Sequence, residues 1–280
     1  MNRPVGFTQE LFDCRDKSLV GGKAANLGRL VRAGFPVPVA FVVTTRAYRS
    51  AQTHATGTNG NGNGTVPAVL PPDIAEEIRR AYAVLGGGPV AVRSSATAED
   101  MAAASMAGQY ETFLDIHGEE SLLDAVRCCW ASLDSPRIRT YLKEHGIEQS
   151  RVAMAVLVQR LVSADVAGVL FTANPQTGGR REMLVEASWG LGESVVSGRV
   201  QPDVLRLDRE TGRVLHAAIA DKRVYLPAGA HEERPVEDSR RKLPCLRGPD
   251  VLRLWELGKL AADHFGSPQD IEWALFDGEL

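Results

Sequence analysis

The sequence predicts a mixed α+β protein built in two lobes, on three observations. Apolar strand-like runs and amphipathic helical runs are interleaved, but without a strict strand-helix-strand repeat. The texture changes near residue 150, from helix-rich to strand-rich. A chain of 280 residues with 44% apolar content is long for one simple domain and comfortable for two. The expected lobes are residues 1–150 and 151–280.

Each element has its own signal. "KAANLGRLVRAG" places Ala24, Leu27, Leu30 and Val31 on one helical face, stops at Gly34, and is followed by Pro36 and Pro38. "FVVTT", residues 41–45, reads as a buried strand. Residues 51–66, "AQTHATGTNGNGNGTV", offer nothing to bury and read as a flexible surface loop. "PPDIAEEIRRAYAVLGGG" reads as a helix with Asp73 as N-cap, Ile74, Ile78 and Leu85 inward, and three glycines to end it. "SLLDAVRCCWASL" and "SPRIRTYLKEHG" are two further helices, each opened by a serine, with Pro136 in the first turn of the second. Strands then dominate: "RVAMAVLVQRLV", "AGVLFTANP", "MLVEAS", and a hairpin in "PDVLRLDRETGRVLHAAI" turning at "RETG". A last helix, "DVLRLWELGKLAADHFG", shares one face among Val251, Leu254, Trp255, Gly258 and Ala262.

Charge and cysteine content narrow the classes of function. A net charge of -3 gives no general attraction for nucleic acid or anionic membranes, so small molecules or proteins are the expected partners. No run approaches the ~18 to 20 apolar residues of a membrane span. The opening "MNRPVGFTQELFDC" lacks the apolar core of a signal peptide, so a cytoplasmic protein is expected. Cys14, Cys128, Cys129 and Cys245 show no paired zinc-ligand spacing and read as buried or incidental thiols.

Several short stretches carry candidate chemistry. In "LVGGKAANLG" a lysine follows two glycines at a helix start, where free N–H groups and the helix dipole favour an anion. The spacing is not that of a Walker A loop, and on this stretch alone Lys23 reads as a solvated helix-start lysine before a ligand. Arg93 ends the apolar run Val90, Ala91, Val92; its guanidinium needs a partner, and a phosphate or a carboxylate such as Glu99 or Asp100 serves equally. "SSATAEDMAAASMAGQYET" lacks bulky side chains over most of its length, so its backbone can approach a ligand closely or form a simple surface loop. In "VEASWGLGESVVSG", Gly190 and Gly192 read first as structural turns. Alternation in "PQDIEWALFDGEL" puts Asp270 and Glu272 on one strand face and Ile271 and Trp273 on the other. Two carboxylates on one face suit magnesium, a hard cation, or form a solvated edge.

Taken in order, these stretches resemble the N-terminal nucleotide-binding region of the phosphoenolpyruvate synthase, pyruvate phosphate dikinase and rifampicin phosphotransferase superfamily. The resemblance runs through "LVGGKAANLGRLVRAGFPVPVAFVVTT", "VAVRSSATAED", "SMAGQYETFLDI", "VLVQRLV", "AGVLFTANPQTG", "VEASWGLGESVVSG" and "PQDIEWA", nearly the whole chain apart from the Asn-Gly loop. It implies an ATP-grasp fold in which two lobes hold ATP between them. Lys23 and Arg93 would meet the phosphates, Gly108 and Thr112 would form a mobile loop over them, and Gln159 would lie beside the adenine. Glu272 would hold magnesium, with Asp270 a weaker candidate.

In that superfamily an ATP phosphoryl group passes through a histidine on a swivelling domain to an acceptor such as pyruvate or a rifamycin, leaving AMP. None of the six histidines here lies in the carrier-type context, so the phosphohistidine and acceptor domains are expected elsewhere in the same or a separate chain. Relatives also continue beyond "DIEWA" into a returning strand with an "LQARP"-like segment. Asp277-Gly278 is a favoured hairpin turn, but the strand over residues 270–276 is expected to lack that returning partner and to be loosely held. By itself the chain is expected to bind nucleotide without turning it over; the alternative from another class is a nucleotide sensor or scaffold without transfer. The Asn-Gly stretch is expected to be dispensable, because closure entropy changes by only ~0.6 kcal/mol per doubling of loop length. Replacing residues 55–65 by a linker of about four residues should leave ATP affinity intact, and a tenfold loss would make the loop part of the site.

Overall fold

The computed structural model describes residues 6–56, 66, 69–97, 111–175, 177–230 and 232–280. The chain divides into two compact units, Met1–Leu161 and Val162–Leu280. In the first, β1 (Thr8–Glu10), β2 (Ala40–Val43), β3 (Val90–Ala96), β4 (Thr112–Ile116) and β5 (Met154–Arg160) form an antiparallel sheet in the order β1-β2-β5-β3-β4. The division therefore falls later than the expected residue 150, because "AVLVQ" is the central strand of the first sheet and does not open the second unit.

Period-two alternation gives this sheet two faces with different cover. Val43, Val92, Val156 and Val158 face α2 (Thr45–Thr56), α3 (Pro72–Val84), α4 (Glu119–Ser132) and α5 (Pro136–Glu144), whose Ala47, Ile78, Val126 and Leu142 complete the core. Trp130 is fully buried there and meets Tyr48 edge-on at 5.7 Å between ring centroids. The opposite face receives one helix, α1 (Lys17–Arg32), whose Val20, Ala24 and Ala25 pack on Val42, Ala155 and Leu157.

Three helix boundaries correct the sequence reading. Residues 51–56, expected in a loop, are the last turns of α2; residues 57–65 lie outside the described residues. The N-cap of α3 is Pro71, and Asp73 sits inside the first turn, where its Oδ1 accepts the Ile74 N–H at 3.0 Å. α4 opens behind Gly118, at φ 78°, a turn before the expected Ser121. α5 does begin as read, with the Ser135 hydroxyl accepting the Ile138 N–H at 3.4 Å and Pro136 in the first turn.

α1 starts at Lys17, nearly two turns before the expected Lys23, capped by Asp16, whose carboxylate accepts the Ser18 N–H at 2.9 Å. It is broken at Gly21, which adopts φ 74° and ψ 171°. The buried Ser95 hydroxyl spans the break, donating to the Val20 carbonyl at 2.9 Å and accepting the Ala24 N–H at 3.2 Å. The Ser95 carbonyl stands where a Cβ on residue 21 would be, so the approach of helix to strand requires glycine.

In the second unit, β6 (Val166–Phe171), β7 (Glu182–Trp189), the single-turn helix α6 (Glu193–Val196), β8 (Asp203–Asp208) and β9 (Val214–Ala218) precede a short ribbon, β10 (Val224–Tyr225) with β11 (Arg234–Pro235). β12 (Asp270–Leu275) completes an antiparallel sheet in the order β12-β6-β7-β8-β9. One face carries Val166, Leu170, Val185, Leu205 and Trp273 against α7 (Gly248–Phe265), through Val251 and Leu254. Gly258 allows the close approach, since a Cβ there would lie 2.5 Å from Leu170 Cδ2. The predicted hairpin is β8 and β9, and its turn docks on α7 through a hydrogen bond from Trp255 Nε1 to the Arg209 carbonyl at 2.9 Å.

A buried ion pair fastens the rest. Asp203 accepts the Lys222 ammonium at 2.5 Å and the backbone N–H groups of Ala220 and Cys245, each at 2.9 Å. Cys14, Cys129 and Cys245 are buried thiols and Cys128 is exposed. β12 is the edge strand of its sheet; all six of its residues pair with β6, and Phe276 and Glu279 exchange N–H···O bonds of 2.9 Å around Asp277 and Gly278, both at positive φ. Among the described residues no helix is long and apolar enough to cross a membrane.

Gly21→Ala should destabilise the protein by about 2 to 4 kcal/mol, from strained φ together with overpacking against Ser95. Gly34→Ala, at φ 83° with open space around it, should cost only about 1 to 2 kcal/mol. Urea unfolding of the two variants separates them, and equal losses would remove the close helix-strand contact from the account.

Candidate functional site

Strand pairing shows which predicted residues share a face. Val42, Leu157, Arg93 and Thr112 lie in one row across β2, β5, β3 and β4, and Ala40, Gln159 and Ala91 lie two residues away on the same face. This is the face covered by α1. Arg93 and Gln159 are half-buried, Thr112 is exposed, and the Gln159 amide donates to the Pro38 carbonyl at 3.3 Å. Gln159 stands two residues before the end of the first unit.

Lys23 joins this face from α1. It follows the break at Gly21, so it belongs to the first turn of the second helical segment, as the Gly-Gly-Lys spacing suggests. Its Nζ donates to the Ser94 carbonyl at 3.2 Å, beside Arg93 on β3. An ammonium has three donors and this hydrogen bond uses one of them. The Ser94 N–H and hydroxyl donate in turn to the Glu111 carbonyl at 3.2 and 2.9 Å, which fixes the strand preceding Thr112. Four of the six predicted site residues, Lys23, Arg93, Thr112 and Gln159, are therefore gathered on one sheet face with two cations among them. Gly108 lies outside the described residues, as do Glu99 and Asp100, the carboxylate alternatives for Arg93.

Glu272 belongs to the second unit. Alternation along β12 holds as read: Asp270 and Glu272 are exposed, while Ile271 and Trp273 pack into the core. Pairing places Glu272, Val169, Glu186 and Val204 in one row on the face opposite α7, and Asp270, Phe171, Leu184 and Arg206 in the next. Over this face opens a depression of about 720 Å³, lined by Leu184, Glu186, Val204, Arg206 and the arginines Arg180 and Arg181. Arg206 is engaged by Glu182 in a two-pronged pair at 2.7 and 3.0 Å, and those hydrogen bonds hold the Glu182 carboxyl below its usual range.

Glu186 is the residue that the sequence reading passed over. Burial pushes its carboxyl above the ordinary carboxylate range. A signal was available: a charged residue inside the apolar run "MLVEAS" is the same kind of exception that drew attention to Arg93. Among the described residues no three acidic, histidine or cysteine side chains converge as a ready-made metal cage. What this face offers for a cation is the exposed pair Asp270 and Glu272 on β12, hard oxygen donors of the kind magnesium takes together with water and phosphate, while Glu186 lies in the depression that the arginines line.

The family model for the pyruvate phosphate dikinase AMP/ATP-binding domain matches residues 65–280. A probable phosphoenolpyruvate synthase of Methanothermobacter thermautotrophicus is 40% identical, over 100% of this chain and 45% of its own length. A rifampicin phosphotransferase of a Streptomyces species is 42% identical over 92% of this chain and 33% of its own length. The phosphoenolpyruvate synthase of Pyrococcus furiosus is 34% identical over 95% of this chain and 41% of its own length. The chain thus spans from a third to under a half of the relatives it matches. With its family model covering residues 65–280, the chain belongs to the pyruvate phosphate dikinase AMP/ATP-binding domain family.

Proposed function

We propose that the chain is the ATP-binding part of a dikinase-type phosphotransferase, which passes a phosphoryl group from ATP through a histidine carrier to an acceptor such as pyruvate or a rifamycin and releases AMP. The carrier and acceptor domains belong to the same longer protein or to a separate chain. The observation that carries the reading is the gathering of Lys23, Arg93, Thr112 and Gln159 on one face of the first sheet, within a family named for AMP/ATP binding.

In this reading the fold is an ATP-grasp in which both units contribute to one nucleotide. Lys23 and Arg93 hold the phosphates, Gly108 belongs to the loop over them, Thr112 meets them from β4 beside Arg93 and not from that loop, and Gln159 reads the adenine edge. Phosphoryl transfer asks little covalent chemistry of a protein; it needs the reacting groups positioned and the developing negative charge neutralised. An arginine in the middle of β3, paired on both sides by β4 and β5, is held in place by the sheet, so its fork is oriented before ligand arrives. Glu272, with Asp270 beside it, would hold magnesium, which when bound neutralises phosphate charge. The small residues after Arg93 allow a backbone to close on the ligand.

Calorimetry should find ATP with magnesium bound more tightly than GTP with magnesium, and equal binding or none would contradict the reading. Arg93→Ala should weaken ATP binding by about 1.5 to 3 kcal/mol, the loss of a charged hydrogen bond, without lowering the melting temperature of the free protein. A comparable fall in that melting temperature would instead make Arg93 a structural ion-pair residue.

A further inference from the structure

Resting on the nucleotide-binding reading above, we propose that Ser94 is a positioning residue for the phosphate end of the site, acting through Thr112. Ser94 is 0% exposed and belongs to the sheet face packed by four helices, in register with Val156 and alternating with Val92 and Ala96 along β3. Every neighbour on that face is apolar, and a small apolar residue would fill the position without desolvating a hydroxyl. The hydroxyl has a specific use. Together with the Ser94 N–H it donates to the Glu111 carbonyl, at 2.9 and 3.2 Å, so one residue occupies both lone pairs of that oxygen.

Thr112 needs this double tie because its strand is weakly constrained. β4 is an edge strand, its pairing with β3 shifts register between Val90 and Val92, and the matched pairs stop at Arg93 and Thr112. The Ser94 N–H extends that ladder by one hydrogen bond, and the hydroxyl doubles it, which sets the angle at which the chain enters Thr112 beside Arg93. The hydroxyl is itself held from behind, since it shares a hydrogen bond with the buried Cys129 thiol of α4. Burial pushes that thiol up to about 12, so it stays a neutral S–H that can donate to the hydroxyl oxygen. The Ser94 carbonyl accepts the Lys23 ammonium at 3.2 Å. Through its three polar groups Ser94 thus ties α1, β4 and α4 to the strand that carries Arg93. Being buried, it leaves contact with the ligand to Lys23, Arg93 and Thr112.

A double-mutant cycle read by calorimetric ATP affinity tests the coupling. Ser94→Ala should weaken ATP binding by about three- to tenfold, the range of one lost hydrogen bond, while adenosine, which has no phosphates, should bind within about twofold of the unaltered protein. Thr112→Val should weaken ATP binding by itself. The doubly substituted protein should then bind within about twofold of Thr112→Val, because two residues that act through one contact are not additive. Ser94→Cys keeps a weak donor and should fall between the unaltered protein and Ser94→Ala; it takes the place of alanine in the cycle if Ser94→Ala does not fold. Losses that multiply in the cycle, or an equal loss of adenosine binding, would make Ser94 a packing residue only and overturn the inference. Unchanged ATP affinity in Thr112→Val would also overturn it, with the Lys23 and Arg93 site still standing. Failure of the unaltered protein to bind ATP at all would overturn the nucleotide reading and this inference together.

Discussion

The Ser95 hydroxyl, buried between β3 and α1, is the contact on which the first unit's candidate site depends. It donates to the Val20 carbonyl and accepts from the Ala24 N–H, so it replaces the helical hydrogen bonds interrupted at Gly21. Without it the break would leave buried backbone groups unsatisfied, at a cost of about 1 to 3 kcal/mol each. With it, α1 restarts with its first turn against β3, and Lys23 reaches the Ser94 carbonyl next to Arg93. Positive φ at Gly21 and the absence of its Cβ are the conditions for that contact. One backbone break thus places a lysine from a helix and an arginine from a strand on a single sheet face.

The two units apply the same sheet physics to opposite charges. Each has one face closed by apolar packing, through four helices in the first and α7 in the second. Each leaves charged groups on the other face, Lys23 and Arg93 in one case and Asp270, Glu272 and Glu186 in the other. Cationic groups are what phosphate oxygens require, and carboxylates are what their counter-cation requires. Placing Arg93 and the carboxylates on paired strands, and Lys23 on a helix hydrogen-bonded to β3, keeps them oriented without ligand, which matters because the proposed transfer relies on positioning and charge neutralisation.

Much of this was legible in the sequence wherever a residue broke a local pattern. Lys23 after two glycines and the alternation of Asp270 and Glu272 with Ile271 and Trp273 keep their predicted settings; Arg93 does not end its strand as expected, because β3 runs on through Ala96 and Arg93 is its middle residue. What was not legible depends on partners far away in the chain. The break in α1 needs Ser95, and nothing near Gly21 announces it. β5 reads as the start of the second half because it follows the helices, yet it inserts between β2 and β3 in the first sheet. Glu186 and β12 are far apart in the chain, and only the register through Val169 brings Glu186 into the row of Glu272. The Asn-Gly run masked the end of α2, because its composition drew the loop boundary back over residues 51–56.

Hydrogen exchange of the whole chain with and without ATP and magnesium tests most directly whether both units serve one nucleotide. The account predicts slower exchange on ligand addition in both units at once: at residues 22–24 and 93–97 in the first, and at residues 168–170 and 270–273 in the second. Protection confined to one unit, or no protection at either face at ATP concentrations that saturate binding, would contradict it.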